Sequence, residues 1–139
     1  MTNTSPITSW FSGRLPDEWT AAGEPTIVTD REEITVTVSI EPPPGAGSDA
    51  SPEDRNEAIA GRIAAFREDT RERRMTIARE AEHRFERKVA WAVRVGDEVA
   101  LFSHLAAPAM TRLRQPERMV LDTLVDANIA RSRSDALAW

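Results

Sequence analysis

Arg112 and Arg114 stand two positions apart in Ala109-Met110-Thr111-Arg112-Leu113-Arg114. On an extended segment that spacing puts both side chains on one face, with Met110 beside them. A guanidinium can donate two parallel hydrogen bonds, which fits guanine O6 and N7 in the DNA major groove. Ala109, Thr111 and Leu113 would then face the opposite way, toward packing partners, and a register slip of one residue would exchange the two sets. The plainer alternative is an edge strand whose arginines bridge acids elsewhere in the chain. Further on, Ser132-Arg133-Ser134-Asp135 reads as a helix start. Unpaired backbone N–H groups and the helix dipole favour a phosphate there, with the two hydroxyls and Arg133 as reinforcement.

Other reactive combinations are weak. Glu80-Ala81-Glu82-His83 has the spacing of a carboxylate-bridged iron ligand pair, but no second copy accompanies it, so a surface histidine is expected. Ser103 and His104 are adjacent on an expected strand and point to opposite faces, which prevents nucleophile–base pairing. The chain has no cysteine, which excludes disulfides and thiol chemistry. No glycine-rich phosphate loop and no isolated acid pair stands out. The expectation is a protein that is not an enzyme and uses no metal or cofactor.

Elements must hold these residues in place. The chain has 139 residues, of which 40% are hydrophobic and 29% charged, as befits a folded protein. Trp10, Phe11, Leu15 and Trp19 lie among prolines and glycines and read as irregular structure or a short helix near 16–22 that straps the core edge. Ile34, Val36, Val38 and Ile40 alternate with polar residues, which predicts a strand, and Thr26–Val28 can pair with it across Asp30–Glu33. The proline- and glycine-rich stretch 41–50 predicts a mobile surface loop. Ser51-Pro52-Glu53-Asp54 opens a helix that no proline interrupts as far as residue 88. At 1.5 Å per residue it would be about 50 Å long, so it either kinks near Glu68–Arg74 or extends onto a second subunit, the option we favour. Val89–Val95, Gly96-Asp97 and Val99–Leu105 predict a hairpin. The fold class is therefore α+β, an antiparallel sheet with one long helix across it, in an interaction or sensing domain over residues 1–107.

Residues 108–139 form a second unit. A strand at about 109–114 leads through Gln115-Pro116-Glu117 into a helix whose apolar face is Met119, Val120, Leu121, Leu124 and Val125. Asn128 occupies the position of a left-handed C-cap, and Ser132 with Asp135 starts a second helix. This order resembles the ribbon-helix-helix family of bacterial DNA-binding proteins. The resemblance implies a homodimer whose strands pair into an antiparallel ribbon in the major groove, with Met110, Arg112 and Arg114 as base contacts. It implies phosphate contacts at Ser132, Arg133 and Ser134. The rest of the chain looks like actinobacterial proteins that end in the same module. With Trp139 last, the second helix has only about two turns, shorter than the family's, so further chain or a partner must complete the module.

Charge sets the remaining expectations. Net charge is −5, and residues 1–50 carry two arginines against eight acids, so a basic coat for nucleic acid is excluded while a small basic reading head is not. The segment Met1–Pro6 has neither the basic stretch nor the apolar core of a secretion signal, so a cytoplasmic protein without a membrane partner is expected. Two functions follow: a dimeric transcription regulator that reads double-stranded DNA, or an antitoxin-like or adaptor module that holds a protein partner through the long helix and the N-terminal aromatics and does not bind DNA.

Overall fold

Strand β2 (Glu33–Ile40) realises the alternation of its sequence: Ile34, Val36 and Val38 are at most 1% exposed. The computed structural model describes residues 5–102 and 110–138. It divides into two units, Met1–Ala106 and Ala107–Trp139. In the first, β1 (Thr26–Thr29), β2, β3 (Lys88–Val95) and β4 (Glu98–Leu101) form a four-stranded sheet in the order β1-β2-β3-β4.

The sheet is mixed, which corrects the expected antiparallel arrangement. β1 pairs antiparallel with β2 and β3 with β4, but β2 and β3 run parallel, from Glu33↔Lys88 to Ile40↔Val95. The cause is α2 (Pro52–Phe85), which lies between them in the chain and returns it to the end where β2 began. Both hairpins form as expected. Asp30 Oδ1 accepts the N–H groups of Glu32 and Glu33 at 2.8 Å and so shapes the β1–β2 turn. Gly96 supplies the positive φ of +62° that the two-residue β3–β4 turn requires.

One face of the sheet carries the core. Val89 and Trp91 of β3 join Ile34, Val36 and Val38 against Ile77 and Ala81 of α2. α2 runs 34 residues, continuous through Glu68–Arg74, with Ser51 Oγ accepting the Asp54 N–H at 3.1 Å. It ends at Glu86, whose φ of 56° is left-handed. The loop before it is not bare: Pro44–Ala46 forms a 3-10 turn against α2, where Gly45 is so close that an added Cβ would meet Ala58 at 3.1 Å.

The expected helix near 16–22 is displaced. The helix is α1 (Pro6–Arg14), capped by Ser5 and started by Pro6, and residues 17–19 make only one 3-10 turn. The aromatics do strap the core: Phe11, Leu15 and Trp19 are buried, and Trp19 meets Trp91 edge-on at 6.0 Å.

In the second unit α3 (Gln115–Asp126) and α4 (Arg133–Ala138) form a helical pair. Asn128 ends the first helix with φ 61°, as its sequence position predicts. The strand expected at 109–114 is not seen: Ala109 lies outside the described residues, and 110–114 carry no ladder. An extended segment shows a ladder only beside a second strand, and the described part of this unit supplies none. The helical pair is therefore the only part of the expected ribbon-helix-helix order among the described residues.

Candidate nucleic-acid interface

Met110 is fully exposed, and Thr111, Arg112 and Arg114 are exposed beside it. Leu113 alone is half-buried. It shares a hollow of about 280 Å³ with Leu121 of α3 and Leu137 of α4. Met110 and Thr111 line the same hollow and Thr111 is exposed, so the strict alternation expected of a strand is not seen here. Among the described residues neither Arg112 nor Arg114 pairs with a carboxylate.

Two side chains hold this segment on the helix, and sequence reasoning did not single them out for it. Arg114 is the extended N-cap residue of α3, with φ −77° and ψ 166°. Its backbone N–H is accepted by the Glu117 carboxylate, so Glu117 closes the start of the helix. Arg118 Nη1 donates to the Leu113 carbonyl oxygen. Glu117 had a readable signal, an acid at the third helical position, but Arg118 had none, because a guanidinium reaching back to a carbonyl leaves no pattern in sequence.

The second group of expected contacts is partly engaged within the chain. Ser132 Oγ accepts the Asp135 N–H at 3.1 Å, and the Asp135 carboxylate accepts the Arg131 N–H at 2.9 Å. Ser132 therefore caps α4, as its spacing suggested, while Asp135 reaches past it to the Arg131 N–H. Ser134 is exposed. Arg133 grips Asp122 of α3 with two hydrogen bonds of 2.7 and 2.8 Å. The Arg133 guanidinium pulls the Asp122 carboxyl below its usual range, and Asp122 in turn raises Arg133. Any phosphate at Arg133 would have to compete with Asp122.

The apolar side of this unit is largely uncovered. No residue of α3 is buried, and Met119 and Val120 are 60% and 61% exposed. Ile129 and Leu137 are at least half exposed as well. Among the described residues of this unit only Ala130 and Ala136 are buried.

Elsewhere the weak motifs stay weak. Glu80 is held by Arg14 at 2.7 and 3.0 Å, which draws its carboxyl below the usual range, while His83 is exposed. Among the described residues no three metal-ligating side chains come together. Ser103 and His104 lie outside the described residues. No helix among them is long and apolar enough to cross a membrane.

Comparison with known proteins gives a family but no activity. A family model described as Rv1265-like protein, N-terminal domain, matches residues 5–101. A second, described as Mb1296 C-terminal domain, matches residues 114–139, and neither is a ribbon-helix-helix model. Uncharacterized protein Rv1265 of Mycobacterium tuberculosis is 59% identical over 131 residues, which is 94% of this chain and 55% of that relative. Uncharacterized protein Mb1296 of Mycobacterium bovis aligns with the same figures. The chain thus spans about half the length of the curated relatives it matches, and their mycobacterial source bears out the actinobacterial likeness. No solved structure matches.

Proposed function

The chain belongs to the Rv1265-like protein family, and we propose that its C-terminal unit pairs with a second copy to read double-stranded DNA. The observation that carries this reading is the segment Met110–Arg114. Leu113 is half-buried beside Leu121 and Leu137, while Met110, Arg112 and Arg114 are exposed and neither guanidinium pairs with a carboxylate among the described residues. The open face of α3 gives a reason for two copies to associate, which would bring their extended segments side by side. The paired segments would then present the arginines of both chains to base edges, where each well-placed bidentate contact is worth roughly 1–3 kcal/mol of discrimination. Ser132, Ser134 and Arg133 would meet the flanking phosphates, with Arg133 exchanging Asp122 for the nucleic acid.

The test is enrichment from a pool of randomised duplexes. Wild-type chain is expected to enrich a symmetric sequence and protect it from nuclease. Changing Arg112 and Arg114 to Ala should remove that preference without altering helix content. An identical enriched sequence from the double variant would sink the proposal.

The same exposed α3 face also suits a different protein, which would give the adaptor reading a contact beyond the long helix and the N-terminal aromatics expected from sequence. A chain that stays monomeric and ignores duplex DNA at low salt would favour that reading.

A further inference from the structure

The mid-section of α2 and strand β4 enclose a groove of about 860 Å³, well within the size range of small-ligand sites. Its walls are apolar at Ile63, Met75 and Leu101, and Phe102 forms part of the lining. Arg67, Arg71 and Arg74 converge on it, against the single carboxylate of Glu68. Both Arg67 and Arg74 lie over the Phe102 ring, at 5.4 and 4.9 Å from its centre.

Arg74 is the unusual member. It is only 8% exposed, yet its partners are neutral: Nε donates to Thr70 Oγ1 at 2.9 Å and Nη2 to the Arg67 carbonyl at 2.7 Å. Thr70 is fixed for that task, since its own hydroxyl donates to the Phe66 carbonyl at 2.6 Å. No carboxylate among the described residues pairs with Arg67, Arg71 or Arg74, and the residues outside that set include no Asp or Glu. Among the described residues Nη1 of Arg74 has no protein partner, and Arg74 lines the groove. Burial first, then repulsion from Arg67 and Arg71, lowers the proton affinity of this guanidinium. A guanidinium does not relieve such a position by losing its proton at ordinary pH. An arriving anion would relieve it.

We propose that this groove binds a small organic oxyanion, a phosphate or carboxylate carried on a flat apolar group. The oxyanion sits against Nη1 of Arg74 with Arg67 and Arg71 closing over it, and the apolar part lies along Met75, Leu101 and Phe102. Charge-assisted pairs at a partly dry site are the strong class of hydrogen bond, and the fixed Arg74 loses little freedom on binding. This site lies wholly in the N-terminal unit and does not rest on the DNA reading of the C-terminal one.

Two probes separate the sources of the oxyanion: phenyl phosphate and benzoate, titrated into the full chain and followed by tryptophan fluorescence. Trp19 reports on the site through Phe66, which it meets at 5.9 Å and which in turn meets Phe102 at 6.4 Å. Saturable binding of at least one probe is expected, and the better of the two identifies the preferred oxyanion. The double variant R67A/R71A, at exposed helix positions, should bind it about tenfold more weakly or worse with an unchanged circular dichroism spectrum. No saturable signal from either probe up to roughly 10 mM, or equal affinity in the double variant, would overturn the proposal.

Discussion

Asp122 decides how available Arg133 is. The pair is exposed, so it adds little to stability, but its two parallel hydrogen bonds fix the guanidinium away from solvent phosphate. The Arg133 guanidinium holds Asp122 below the usual carboxylate range, so the pair is intact at neutral pH and is lost only as pH falls through that lowered value. Between pH 5 and 8, as ordinary orders of magnitude go, it does not act as a switch. Substitution does what pH does not: Asp122→Asn should free Arg133, tighten duplex binding a few-fold, and steepen its salt dependence by about 0.9 per added phosphate contact. A salt titration of D122N beside wild type checks this. Equal slopes would mean Arg133 makes no phosphate contact. The exposure of Arg112 and Arg114 on either side of a half-buried Leu113 agrees with the sequence reading, but Thr111 is exposed too, so a period of two does not describe the segment. The Asp122–Arg133 pair was not legible in sequence, since the two residues lie on different helices and no period carries across the turn between them.

Among the elements, those with local chemistry were legible and those set by connection were not. Ser51-Pro52 and Gly96-Asp97 announced a helix start and a turn, because a capping hydroxyl and a left-handed glycine are local requirements. Ser5-Pro6 carries the same helix-start chemistry, which the reading of this stretch as irregular structure did not use. The parallel β2–β3 pairing had no local signal, because direction depends on where a 34-residue helix delivers the chain. α1 belongs to the core, not to a loose strap. Phe11→Ala should therefore cost about 3–5 kcal/mol in urea unfolding, and a cost below 1 kcal/mol, roughly a surface value, would contradict that placement. For α3 the prediction concerns association. Val120 is 61% exposed, so Val120→Glu should leave the helices folded and convert a dimer to monomer in sedimentation velocity. Wild type that already sediments as a monomer at high micromolar concentration would remove the two-fold pair from the account.

At the scale of the molecule, charge and function have to be reconciled. A chain of net charge −5 binds DNA only if its basic groups are gathered at one place, and residues 110–139 carry five arginines against four acids. That excess is small, so affinity should be modest and strongly dependent on salt, and the longer relatives have further chain to contribute. The measurement that bears most directly on the central claim is fluorescence anisotropy of a labelled duplex titrated with this chain across a range of salt concentrations. The account predicts binding near 50 mM salt that weakens linearly on a log–log plot, about 0.9 per phosphate engaged, and sequence preference that disappears in R112A/R114A. No rise in anisotropy at about 50 mM salt with the chain in large excess would contradict it.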